Sequence, residues 1–164
     1  MLSTEIMNKA HKLLKALRSR DLKLSVAESC TGGLIASVLT EIPGISEVFE
    51  RGYVTYSNES KIELLTVPTY YINEFGAVSF QTAVAMAEGA LLMSRANISI
   101  SVTGIAGPEG GTDEKPVGTV FIASSMQGSD TIHEQHLYAG SRHAIREKSV
   151  EACIDMLLKR LGAS

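Results

Sequence analysis

Aromatic residues are scarce in this chain: there is no tryptophan, and four phenylalanines and five tyrosines make up 5% of 164 positions. Proteins that stack the bases of a single strand need several such platforms. Basic charge is not in excess either, since 15 Lys and Arg against 18 Asp and Glu leave a formal net charge of −3. Both scarcities argue against a nucleic-acid partner. The two cysteines, Cys30 and Cys153, are too few for a disulfide framework and lack zinc-finger spacing. Free thiols suit a reducing compartment, so the cytoplasm is the expected location. No apolar run approaches the ~18 residues needed to span a bilayer. Near the N-terminus Lys9, Lys12, Lys15 and Arg18 break up what would otherwise suggest a signal peptide. No membrane partner is expected, and no internal repeat or low-complexity tract divides the chain.

What is present is ordinary for a globular protein, with 45% apolar and 20% charged residues. One domain, residues 1–164, is the expectation. Apolar residues at Ile6, Ala10, Leu13, Leu14 and Leu17 keep one helical face from Thr4 to Arg18. A strand follows over Leu22–Ala27, then a helix ending near Glu41, because Pro43-Gly44 cannot continue it. Phe49–Ser57 reads as a strand and Asn58–Leu65 as a short helix. The Pro- and Tyr-containing stretch between Val67 and Val78 receives no assignment. Gln81–Arg95 reads as a helix with a broad Ala-rich face, and Ile98 to Val102 as a strand. Thr119–Ser124 and Thr131–Tyr138 should pair as a hairpin across Gly128-Ser129-Asp130, before a last helix that begins near Ser141. The alternation implies a single-domain α/β/α sandwich with a mixed sheet and a late antiparallel hairpin. The Ala-rich face of 81–95 and the last helix suggest a homo-oligomer, with a dimer as the default.

Chemistry concentrates at strand ends. Glu28-Ser29-Cys30-Thr31-Gly32-Gly33 lies between a strand and a helix, where backbone N–H groups lack intrahelical partners and glycines admit a ligand. On local sequence alone an N-capping Ser29 or Thr31 with glycines that serve close packing is the favoured account of the stretch. Ser29 is one candidate nucleophile; Cys30 is another, being intrinsically more reactive. Lys61 is the residue to pair with it, because a lysine shielded from water has its pKa lowered and can serve as a base. An exposed helix-surface lysine beside Glu63 is the plainer account of the same residue. Tyr56 and Ser57, at the same strand end, are placed to relay a proton if they face Ser29.

The stretch Thr103-Gly104-Ile105-Ala106-Gly107-Pro108-Glu109-Gly110-Gly111-Thr112 carries four glycines after a strand, and successive N–H groups in such a loop can cup an anion. It matches neither the P-loop nor the dinucleotide fingerprint. The hydroxyls of Thr103 and Thr112 would add donors, and Arg142 is a candidate clamp for the same anion. The four histidines include His133 and His136, three apart on a predicted strand and so on opposite faces. No metal and no cofactor are predicted.

Three segments together, Ala27–Gly33, Gly52–Lys61 and Thr103–Val120, with Gly140-Ser141-Arg142 before the last helix, resemble the CinA C-terminal domain family and, within it, the stand-alone nicotinamide-nucleotide amidases. The resemblance is nearly full-length. It implies metal-free hydrolysis of the carboxamide of nicotinamide mononucleotide (NMN) to nicotinic acid mononucleotide and ammonia, in pyridine nucleotide salvage. The family's serine and lysine map onto Ser29 and Lys61, with Tyr56 beside them. Free N–H groups around Cys30, Thr31, Gly32 and Gly33 would hold the oxyanion. Ser57 and the loop Thr103, Gly104, Ile105, Ala106 and Gly107 would bind the nucleotide, the loop and Arg142 taking the 5′-phosphate. Glu109 departs from the glycine expected there and puts a negative charge near that phosphate. A catalytically silent nucleotide-binding regulator is the alternative. A role in DNA uptake or repair, suggested by the family's competence label, has no support in charge or motif.

Overall fold

The structure, a computed structural model, describes residues 2–164. Five strands form one sheet in the order β2-β1-β3-β4-β5. These are β1 (Leu24–Glu28), β2 (Phe49–Val54), β3 (Ile98–Gly104), β4 (Thr119–Met126) and β5 (Ser129–Leu137). Strand β1 runs parallel to β2 and β3, while β3–β4 and β4–β5 are antiparallel, so the sheet is mixed with a late hairpin. Helices α1 (Thr4–Ser19), α2 (Leu34–Thr40) and α6 (Arg142–Arg160) cover one face. Helices α3 (Asn58–Leu65), α4 (Thr69–Phe75) and α5 (Phe80–Leu92) cover the other. No helix among the described residues is long and apolar enough to cross a membrane.

Side-chain parity along the strands explains the two layers. Leu24, Val26, Ile98, Ile100, Val102, Val120 and Ile122 point to the α1/α2/α6 side and form the large apolar core with Leu13, Leu17, Ile154 and Leu157. The alternate residues, apart from Phe121, are small or hydroxylic and meet α5. There the Ser25, Ser99 and Ser101 hydroxyls donate to the carbonyls of Ala90, Ala87 and Ala83 at 2.9, 2.6 and 2.6 Å. Each donor is thereby satisfied inside a closely packed layer. The Ala-rich face of α5 is thus covered within the chain, with Ala83, Met86, Ala87 and Ala90 wholly buried. That corrects the expectation that it forms a symmetric interface; α6 likewise buries Val150, Cys153, Ile154 and Leu157 inward.

Other differences from the sequence reading are local. The unassigned stretch contains α4, which follows Pro68, ends at Gly76 and buries none of its residues fully; its tyrosines pack edge-on at 4.7 Å. Strand-favouring Tyr70-Tyr71-Ile72 had masked it. Strand β2 ends at Val54, so residues 55–57 leave the sheet and form a rim. The hairpin turns earlier than expected, and β5 begins at Ser129.

One glycine fixes how closely α5 approaches α3. A Cβ on Gly89 would stand 1.9 Å from the Leu65 carbonyl oxygen, a collision with backbone that no rotamer relieves. Gly89→Ala is expected to cost about 3 kcal/mol or more in urea denaturation, at the upper end of overpacking effects. Gly128→Ala, which meets nothing within 4 Å but keeps a φ of +75°, should cost only about 1–2 kcal/mol. Equal losses would show that α5 shifts freely away from α3.

Candidate active site

A cleft of about 280 Å³ opens where the carboxyl ends of β1 and β3 meet. It lies where the chain switches from laying β2 on one side of β1 to laying β3 on the other, the usual ligand position in such sheets. Ser29 is the first residue beyond β1, and its N–H donates to the Val102 carbonyl at 3.0 Å. Lys61 arrives from α3, whose start is set by Ser57: that side chain accepts from the Ser60 N–H at 3.0 Å. One helical turn later Lys61 is 1% exposed, and its Nζ lies 2.9 Å from Ser29 Oγ, 2.7 Å from the Thr55 carbonyl and 3.3 Å from the Tyr56 carbonyl.

Burial disfavours the ammonium form and lowers the Lys61 pKa to about 8. The two carbonyls can only accept. When Lys61 is neutral its N–H bonds go to them, and its lone pair is left facing the Ser29 hydroxyl. The surroundings therefore orient the amine as a base toward Ser29. Cys30, its neighbour, is in the opposite condition: burial pushes its thiol up to about 12, against thiolate formation.

The turn itself differs from the expected anion site. Glu28, wholly buried, accepts from the Thr31 hydroxyl at 2.6 Å and from the N–H groups of Ile35 and Ala36 at 2.8 and 3.1 Å. The chain's own carboxylate thus occupies the N-terminus of α2. The Gly32 N–H donates to the Ser29 carbonyl at 3.0 Å, which removes it as an oxyanion donor. The Cys30 N–H has no partner among the described residues.

Of the other expected residues, Tyr56, Thr103, Gly104, Ile105, Ala106, Gly107 and Arg142 line the cleft with Ser29, Cys30 and Lys61. Thr31, Gly32, Gly33 and Ser57 do not. Thr31 faces Glu28, Ser57 caps α3, and Gly32 lines a neighbouring depression. Thr103 donates to the Ala77 carbonyl at 2.8 Å, which commits its hydroxyl proton, and Thr112 accepts from the Lys115 N–H at 3.0 Å and does not line the cleft. The N–H groups of Ala106, Gly107, Glu109 and Gly110 have no partner among the described residues. Arg142 donates to the Gly107 carbonyl at 2.8 Å and to the Tyr56 hydroxyl at 3.1 Å, joining loop and rim. Glu109 lines the cleft with them.

Asn58, Ala77 and Val78 also line the cleft and were not expected. Asn58 follows the capping Ser57 and was within reach of sequence reasoning; Ala77 and Val78 carry no local signal. No group of three or more His, Cys, Asp and Glu side chains among the described residues is placed to hold a metal ion.

Comparison with known proteins gives a consistent picture. The family model for the CinA C-terminal domain matches residues 6–161. A CinA-like protein of Akkermansia muciniphila is 49% identical over 142 residues, covering 87% of this chain and 34% of that protein. The nicotinamide-nucleotide amidohydrolase PncC of Escherichia coli is 41% identical over 157 residues, covering 96% of this chain and 95% of PncC. The chain thus spans about a third of the length of several curated relatives and nearly all of PncC. The crystal structure of the competence/damage inducible protein CihA from Agrobacterium tumefaciens superposes with a TM-score of 0.95 at 45% identity, covering 99% of this chain and 98% of that one.

The buried lysine makes stability depend on pH. Between pH about 8 and 10.5 the unfolded chain binds a proton on Lys61 that the folded chain has released, so raising pH through this window favours folding. In urea denaturation, the stability of the wild type relative to Lys61→Met should climb with pH there, by at most about 1.4 kcal/mol per pH unit. A difference that stays constant would mean that Lys61 titrates as a solvated lysine.

Proposed function

The chain belongs to the CinA C-terminal domain family, and from that premise we propose that it is a nicotinamide-nucleotide amidase, working as the single domain 1–164. Its substrate is NMN, hydrolysed in the cytoplasm to nicotinic acid mononucleotide and ammonia without a metal or cofactor. The observation that carries the reading is the 2.9 Å contact between Lys61 Nζ and Ser29 Oγ at the base of the cleft. PncC, which this chain matches along nearly its whole length, supplies the substrate class.

In the proposed reaction neutral Lys61 takes the Ser29 proton as Oγ attacks the carboxamide carbon. The pyridinium ring withdraws electrons from that carbon and favours addition. The oxyanion is met by the unpaired N–H groups of Cys30, Ala106 and Gly107. Lys61 then returns its proton to the departing nitrogen, which leaves as ammonia, and an acyl ester remains on Ser29. Water, deprotonated by Lys61, cleaves the ester and frees the acid. Tyr56, held by Arg142, walls the cleft, and the nucleotide's phosphate end lies toward Arg142. Ser29 is preferred to Cys30 because the lysine contact goes to Oγ and the thiol is held protonated by burial.

Ammonia release from NMN tests this directly. The purified protein should release it in the presence of a chelator, Ser29→Ala should lose about a thousandfold or more, and Cys30→Ala should keep most of the rate. The kcat/KM should rise with pH through about 8, as Lys61 loses its proton. A folded protein that binds NMN and forms no product would instead be a nucleotide sensor. Loss on Cys30→Ala with activity retained in Ser29→Ala would move the nucleophile to the thiol.

A further inference from the structure

The sheet has two outer edges, and the chain treats them differently. Strand β2 is six residues long, slips register against β1 between Leu24 and Ser25, and carries a Glu50–Arg51 ion pair at 2.7 Å. Arg51 and Tyr53 also reach across to the Met93 carbonyl. Short length, irregular register and fixed charge protect an edge against pairing with another chain. Strand β5 is nine residues long, contains no Pro, Lys or Arg, and keeps an unbroken register with β4 from Ile132 to Leu137. Its carboxylate in that run, Glu134, meets His136 at 2.9 Å.

The register fixes which backbone groups are free. The Tyr138 N–H donates to the Gly118 carbonyl at 2.9 Å, so Tyr138 and, by alternation, His136, Glu134 and Ile132 spend their backbone groups on β4. The N–H and C=O groups of His133, Gln135 and Leu137 therefore point outward along the edge. Lys148 and Arg160 close only its two ends, donating to the Ala139 and Asp130 carbonyls. Side chains divide by the same parity. Ile132, Glu134, His136 and Tyr138 share the α6 face with Val120 and Ile122, while His133, Gln135 and Leu137 take the α5 face, where Phe80 stacks on His133 at 4.8 Å. Apolar surface is uncovered on both faces: Ile132 is 40% exposed, Phe80 44% and Leu137 67%.

We propose that this edge binds a second copy of the chain, with β5 pairing antiparallel to β5 about a two-fold axis at Gln135, so that two five-stranded sheets join into one. Side-chain chemistry selects the axis. Outward-facing residues must face one another, and an axis at Glu134 would set that carboxylate against itself. An axis at His133 or His136 would leave Glu134 opposite Ile132 or Tyr138. Centred on Gln135, Glu134 lies opposite His136 of the second copy, in a pair without backbone hydrogen bonds, where side chains approach most closely. The Glu134 oxygen not engaged by its own His136, and the Nδ1 of that ring, are available for this contact. The same axis lays Leu137 against the Phe80–His133 stack of the second copy and Ile132 against its Tyr138. Charge and apolar surface are matched in one register.

Analytical ultracentrifugation tests the proposal apart from any catalytic reading, because no residue of β5 lines the cleft. The wild type should sediment at twice 17.6 kDa at a concentration on the order of 50 µM. Gln135→Pro removes an outward N–H that β4 does not use, so the strand should stay folded by circular dichroism while the dimer weakens about tenfold or more. Glu134→Lys should weaken it too, and adding His136→Glu to that variant should restore it by exchanging the charges. Cysteine cross-linking reads the register, since the native Cys30 and Cys153 are buried. Gln135 would lie opposite itself with Cα atoms about 5.5 Å apart, so Gln135→Cys should form an intermolecular disulfide on oxidation. Leu137→Cys alone should not, because it lies opposite His133. A wild type that stays at 17.6 kDa overturns the proposal, as does a dimer unaffected by both Gln135→Pro and Glu134→Lys. Cross-linking through Leu137→Cys in place of Gln135→Cys overturns the axis.

Discussion

A lysine with 1% of its surface exposed must be surrounded by oxygens or lose its charge, and much of the cleft follows from how this chain meets that demand. Lys61 Nζ has three acceptors, two of them carbonyls in the short segment where β2 has left the sheet. Had the strand continued beyond Val54, the carbonyls of Thr55 and Tyr56 would be committed to ladder geometry. Instead Thr55 keeps one link to the sheet, its N–H donating to the Glu28 carbonyl at 2.8 Å, and turns its own carbonyl to the lysine. The close approach of α5 at Gly89 presses α3 into place from behind. The same burial that costs stability near neutral pH is what brings the amine toward a working base.

The second constraint is the buried Glu28. It stands at the end of β1, beside the candidate nucleophile, and its two oxygens accept three hydrogen bonds from the turn and the first residues of α2. A helix N-terminus otherwise invites an external anion, but here an internal carboxylate fills it and holds the Ser29–Gly33 turn rigidly. Two features around the cleft remain without such an internal partner. One is the set of free N–H groups on the loop after β3, and the other is the arginine pair on α6, Arg142 and Arg146. Glu109 stands on the loop side and the arginines on the α6 side, so the two flanks of the cleft differ in charge.

Much of the architecture was legible because local and global preferences agree. Period-two runs of Val and Ile with alternating Ser in β3, and heptad-like apolar spacing in α1 and α6, leave little freedom over element type. The alternating serines were visible, yet their purpose was not: it depends on helix α5 offering carbonyls at a matching spacing. Helix α4 was hidden because its tyrosines favour strands and it buries too little to show a face. For the site, the proximity of Ser29 and Lys61 was expected from residue types and family resemblance, and Asn58 stood beside them in the same segment, whereas Arg146 had no motif to mark it.

The sequence by itself determined the elements, the strand ends at which polar residues collect, and which hydroxyl, amine and guanidinium were available for chemistry. These depend on near neighbours, through side-chain periodicity, capping and turn residues. Tertiary structure decided which of those groups face one another and which are already engaged. It directed Lys61 to Ser29 rather than to solvent, placed Glu28 in the helix terminus that appeared free, and covered the alanine face of α5. Among the described residues it also gave Arg142 and Arg146 only neutral oxygen partners. Burial and long-range pairing set the ionisation and hydrogen-bond accounts of such groups, and these arise only when segments distant in the chain are packed together.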